Sequence, residues 1–159
     1  MGEQADWRAI VASSLDWEQA HAKLDSAIAD LPVDLRGKRP DGLPHSVWEL
    51  LDHIRRTLRD LVSFCLDKDY HEPKWPEDYW PSSPAPSSDA EWNGAIESIH
   101  RDNEALERMT KDESLDLTAK IPHGTGQTYL RTVIVAVTHS SYHVGQIVLT
   151  RRLLGSWKK

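Results

Sequence analysis

The sequence predicts an all-α fold, a four-helix bundle, and three observations predict it. Apolar residues recur at three- and four-residue intervals in four long segments, the helical period. Two of those segments open with Ser-x-x-Glu capping boxes, Ser46 with Glu49 and Ser88 with Glu91. Period-two alternation is confined to one short stretch, Leu117, Ala119 and Ile121, which leaves room for at most a small hairpin before Gly124 and Gly126.

Helix one is predicted from about Asp6 to Leu31, with Ile10, Leu15, Trp17, Leu24, Ala27, Ile28 and Leu31 inward and Pro32 as its stop. Gly37, Pro40, Gly42 and Pro44 then break the chain. Helix two begins after the N-cap Ser46 and runs to about Leu66, with a stripe of Val47, Leu50, Leu51, Ile54, Leu58, Leu61 and Cys65. The segment from Asp67 to Ser88 cannot continue it, because Pro73, Pro76, Pro81, Pro84 and Pro86 remove backbone donors and fix φ. Extended at ~3.3 Å per residue, this Pro-rich crossover outreaches the ~30 Å length of helix two, so helix three can return to lie parallel to it. Helix three follows Ser88 to about Thr110, with Ile96, Ile99, Leu106 and Met109 inward. Helix four runs from about Thr128 to Leu154, and Gly155 supplies its C-cap.

The length of 159 residues suits a single domain over residues 1–159, enough to bury roughly 68–70% of the unfolded surface. A net charge of -6 argues against general nucleic-acid binding, which needs clustered cations. The small basic groups, Arg55-Arg56-Arg59 and Arg151-Arg152 with Lys158-Lys159, read as solvated helix faces. The single cysteine, Cys65, excludes an internal disulfide, and its place in an apolar stripe reads as a buried, inert thiol. No apolar run is long enough for a membrane span, and the first residues lack a signal-peptide pattern, so a cytoplasmic protein is the expectation. Seven tryptophans imply that several line the core or a pocket.

Eight histidines direct the search for chemistry. His139 and His143 lie one helical turn apart, a spacing that lets two imidazoles chelate one ion but also suits a hydrogen-bonded structural pair. Thr132, Ala136, Gln146 and Thr150 share their face, where an ordinary core would present Leu or Val. His53, at the edge of the stripe of helix two, is the best candidate for a third ligand, although a half-exposed structural histidine fits that position too. His45, His71 and His123 stand in loops and read as surface residues, with auxiliary ligands or substrate contacts as the alternative; His21 and His100 read as structural. Glu49, one turn before His53, can support a ligand histidine, though as the capping-box acid it already has a structural task.

Two stretches carry a resemblance. Pro44-His45-Ser46-Val47-Trp48-Glu49-Leu50-Leu51-Asp52-His53-Ile54 resembles the motif opening the second helix of the DinB-like (DNA-damage-inducible) family, and Thr138-His139-Ser140-Ser141-Tyr142-His143-Val144-Gly145-Gln146-Ile147 matches its closing His-x-x-x-His-x-Gly-Gln. The resemblance extends from helix one to Gly155. It implies a four-helix bundle of up-down-down-up topology and a divalent metal, nickel or zinc, held by His53, His139 and His143. Relatives in that family include bacillithiol S-transferases and mycothiol-dependent isomerases, and the wider group contains glutathione-type transferases.

Three neutral imidazoles leave coordination positions open, as in catalytic sites. The expected function is therefore a metal-dependent transferase in which a low-molecular-weight thiol attacks a small-molecule electrophile, with Gln146 orienting a ligand or substrate. A hydrolase using metal-activated water and a non-enzymatic metal- or small-molecule-binding bundle are the alternatives. Gly145, mid-helix at a cost of ~1 kcal/mol relative to Ala, marks either close packing within the bundle or a homodimer contact, of which the homodimer is the expectation.

Overall fold

The computed structural model describes residues 2–18 and 20–157, with side chains from residue 7 onward; Lys158 and Lys159 lie outside it. The described residues form five α-helices: α1 Gly2–Ser13, α2 Leu24–Ile28, α3 Val47–Leu66, α4 Asp89–Lys111 and α5 Tyr129–Leu153.

Local chemistry explains the boundaries. The Ser46 hydroxyl accepts from the Glu49 amide at 3.2 Å while the Glu49 carboxylate accepts from the Ser46 amide at 2.8 Å, a complete capping box at the start of α3. Ser88 and Thr128 cap α4 and α5 through the amides of Glu91 and Arg131. At the end of α5, Gly155 takes φ +68°, and the amides of Gly155 and Ser156 reach back to the carbonyls of Arg152 and Arg151. That is a Schellman closure, which needs a residue tolerant of the left-handed region.

The bundle is up-down-down-up. Arg36 ties the N-termini of α3 and α4 together: its carbonyl accepts from the Trp48 amide at 2.9 Å and its guanidinium binds Asp89 at 2.6 Å. Farther along, Trp48 meets Trp92 and Arg59 meets Asp102, so α3 and α4 run parallel. By contrast His53 of α3 meets His139 of α5, and Cys65 meets Thr132, so α5 runs antiparallel to α3. The Arg8 guanidinium donates to the carbonyls of Thr110, in the last turn of α4, and Leu115, while Ala12 and Ser13 lie beside Asn103 and Glu104, so α1 runs antiparallel to α4. Trp48, Leu51, Ile54, Leu58, Ile99, Leu106, Val133 and Ile147 fill the centre. Each such side chain contributes ~1.5–3 kcal/mol by leaving water.

Three expectations need correction. Helix one is not continuous: α1 ends at Ser13, and a turn and extended segment separate it from α2. The hydroxyls of Ser13 and Ser14 bond the carbonyls of Ile10 and Val11, the local competition that makes serine a poor helix interior, and Ile10 is left 52% exposed. The alternating stretch forms no strand among the described residues, only an isolated bridge from Lys120 to Thr128, though Leu117 and Ile121 are buried. Arg151 is not on a solvated face. It is buried, and its guanidinium donates to the carbonyls of Ala27 at 2.7 Å, Ala29 at 2.8 Å and Ser156 at 2.8 Å, tying the end of α2 to α5. Arg55 and Arg56 are likewise engaged, both on the buried Asp52 at 2.6 Å.

The crossover between α3 and α4 is extended and turn-rich, as its prolines require. Side chains, not a backbone ladder, fix it to the bundle. The Asp60 carboxylate accepts from the phenols of Tyr70 at 2.7 Å and Tyr79 at 2.8 Å, and Arg56 donates to the Asp78 carbonyl at 3.0 Å. Gly37 admits the other end: a Cβ there would stand 2.9 Å from the Cα of Ala85. The crossover therefore passes across the α3–α5 seam where the histidines stand.

Candidate metal centre

His53 projects from the second turn of α3, and His139 and His143 from successive turns of α5. One nitrogen of each ring lies within 4.8 Å of the other two, the one such group of three potential ligand residues among the described residues. The rings approach edge to face, with centroids 4.4–4.9 Å apart. A tetrahedral ion at ~2.0–2.1 Å from each imidazole nitrogen needs those nitrogens about 3.3 Å apart, well inside that limit and close to the 3.0 Å between His139 Nε2 and His53 Nε2.

The hydrogen bonds leave the right atoms bare. His53 Nδ1 donates to the Tyr79 carbonyl at 2.8 Å, which leaves the Nε2 lone pair facing inward. His143 Nδ1 donates to Gln146 Oε1 at 2.6 Å, with the same result. His139 Nε2 stands 3.0 Å from His53 Nε2, and its buried Nδ1 has no partner among the described residues. Because His53 Nε2 can only accept, the proton of His139 sits on Nε2 in this contact, and binding a metal through that nitrogen would displace it. A dication would accept a lone pair from each of the three rings in place of that single hydrogen bond, so the donor set fits a metal of borderline softness.

Electrostatics agree. Burial holds His139 down to about 3, with the neighbouring His143 and His53 adding to it. Burial likewise takes His143 to about 4, against a weaker upward pull from Gln146, and lowers His53. The rings are thus neutral at physiological pH, the form that ligates. The metal-free protein should accordingly lose stability in acid. The unfolded chain protonates His139 and His143 near pH 6.5, while the fold resists until about pH 4 or 3, so stability is full above pH 6.5 and falls as pH drops through that window. Urea midpoints of the metal-free protein between pH 7 and 4 should fall more steeply than those of a His139→Gln/His143→Gln variant; parallel curves would contradict this.

Several features surround the trio. Trp80 of the crossover stacks on His53 at 3.9 Å and 2°, and its other neighbour is His45, at 4.1 Å and 16°. His45, read as a surface residue, is thus half-buried in an aromatic stack. Trp75 and Tyr142 are exposed beside His53 and His143. Gln146 is in contact with His143, and its amide nitrogen lies 3.4 Å from the Tyr142 hydroxyl. Glu49 is occupied elsewhere: its oxygens accept from Ser46 and from Arg39 at 2.8 and 2.5 Å, and His53 bonds Tyr79 and His139 instead. Burial alone raises its pKa, but Arg39 and Ser46 outweigh that and hold it below the usual carboxylate range.

The remaining candidates stand apart. His71, His21 and His100 are exposed, with His100 bonded to Asp25 at 2.8 Å, and His123 bonds the Phe64 carbonyl. Cys65 is buried, and burial pushes its thiol up to about 11, past the Thr132 hydroxyl that pulls it down, so it is no nucleophile. Sequence reasoning missed Tyr79 and Trp80; the only signal was an aromatic-rich run inside a Pro-rich crossover.

No helix among the described residues is long and apolar enough to cross a membrane. Neither the curated proteins nor the solved structures gave a match to this chain. The DinB superfamily profile matches residues 16–147, which spans α2 to the second-last turn of α5 and includes all three clustered histidines. By that match the chain belongs to the DinB superfamily.

Proposed function

We propose that the protein binds one divalent ion, nickel or zinc, through His53, His139 and His143, and that it transfers a low-molecular-weight thiol onto a small electrophile. The observation that carries the metal reading is the convergence of three neutral imidazoles, two buried and one half-buried, with the far nitrogens of His53 and His143 fixed by Tyr79 and Gln146. An ion held by three imidazoles lowers the pKa of a thiol in its open position, so that the sulfur is nucleophilic at neutral pH. In the transfer a sulfur–carbon bond forms, the leaving group departs with its electron pair, and the thiol proton passes to solvent. Tyr79 and Gln146 orient the ligand rings, and the stacked Trp80 shields one face of His53 from water. The clustered group contains no carboxylate to act as a general base, which favours a transferase over a hydrolase.

Gln146 separates holding the ion from using it. An amide is a poor ligand beside imidazoles, and this one fixes His143. Gln146→Leu should leave the fold intact, keep about one ion per chain at saturation, and weaken thiol binding about tenfold or more. Thiol titration of the cobalt-loaded protein, followed by its visible spectrum, reads this. Equal thiol affinity in the two proteins removes Gln146 from the ligand side. A spectrum that no thiol alters removes the transferase reading.

Self-association is the second part of this reading. Gly145 is exposed, and a Cβ there would meet nothing within 4 Å among the described residues, so close packing inside the bundle does not explain it. Around it on α5, Ile134, Leu149 and Leu153 are about half exposed. An apolar helix face of this kind suits a second copy of the chain. Light scattering at high micromolar concentration should give twice the chain mass, and a monomer there contradicts the homodimer.

A further inference from the structure

We infer that the open side of the centre takes a ligand carrying a flat, uncharged aromatic or conjugated group beside the atom that binds the ion. This rests on the metal reading above but not on the thiol. Trp75 is 67% exposed and stands edge-on to His53 at 6.5 Å, and Tyr142 is 65% exposed and stands edge-on to His143 at 5.0 Å. These two rings flank two different ligands of one centre, and the bundle covers neither. Large rings left in water beside two candidate metal ligands can be covered by what binds there, and an aromatic partner adds edge or stacking contacts beyond the area it buries.

The charges around the site point the same way. The Arg39 guanidinium is bound to both oxygens of Glu49, and Arg56 divides its donors between Asp52 and the Asp78 carbonyl. Gln146 Oε1 is taken by His143. The rim therefore offers π-faces, a phenol and one amide N–H, and both nearby guanidinium groups are already engaged. A carboxylate-rich ligand finds little to hold it here, and a planar neutral one finds two rings.

Acetohydroxamate and benzohydroxamate chelate a metal through the same atoms and differ by a phenyl ring. Titrated into the cobalt-loaded protein and followed by the visible spectrum, benzohydroxamate should bind about tenfold tighter, the scale of two added ring contacts. Trp75→Ala and Tyr142→Ala should each remove part of that preference, and the double variant should bring it within twofold of unity. Acetohydroxamate affinity, cobalt content and thermal midpoint should stay at the wild-type values, since both side chains are exposed. Equal binding of the two hydroxamates by the wild type, or a preference that survives the double variant, overturns the inference. If neither hydroxamate alters the spectrum, the metal reading fails and takes the inference with it. If benzohydroxamate is preferred while no thiol binds, the inference stands and the transferase reading alone falls.

Discussion

His139→Ala and His143→Ala should each lower the affinity for nickel or zinc by more than about a hundredfold, beyond the 10- to 100-fold that changes outside the ligand set produce. Each removes one of three converging nitrogens, and no other residue offers a replacement within the group. His53→Ala should do the same and also leave Trp80 stacked on His45 alone. The metal-free folds should persist, because burial already keeps these imidazoles neutral and removing one leaves no charge without a partner. Saturating metal should stabilise the wild type by about 2.7 kcal/mol at a hundred times Kd and the variants far less. Elemental analysis after loading, with thermal unfolding of loaded and metal-free protein, measures both. Retention of one ion per chain by all three variants at wild-type affinity would sink the site.

The histidines of α5 were legible because helical period alone puts residues four apart on one face, and the α5 boundaries follow from Thr128 and Gly155. The length of the crossover showed that α4 can return parallel to α3, and the up-down-down-up order came with the family resemblance. His53 was not legible from spacing, since its partners are 86 residues away and its place depends on how α3 packs on α5. The break after Ser13 was hidden because the apolar spacing of Leu15, Trp17 and Leu24 continues through it. Arg151 was misread for a similar reason: a basic pair near a helix end looks solvated until the α2 carbonyls that it caps are in place. What sequence could not give at all is the part of the site built by the crossover, where irregular backbone follows no period.

That crossover yields the second large effect. The Tyr79 carbonyl sets the tautomer of His53, and it is held there by the Tyr79 phenol on Asp60, one carboxylate that also anchors Tyr70. Burial and the Asp60 charge raise the pKa of both phenols, so they remain donors through the physiological range. Asp60 is thus a positioning residue that acts on the centre through Tyr79, at the far end of a tyrosine side chain. Asp60→Ala frees both tyrosines and should lower metal affinity about 10- to 100-fold, the range for losing the group that orients a ligand histidine. Tyr79→Phe loses one of the two anchors and should fall between that variant and the wild type, and Tyr70→Phe, which does not lead to His53, should change metal affinity less than threefold. Competition with a metallochromic chelator gives the affinities. A purely structural role for Asp60 predicts instead that thermal midpoint drops in Asp60→Ala, while metal affinity, measured well below that midpoint, matches the wild type.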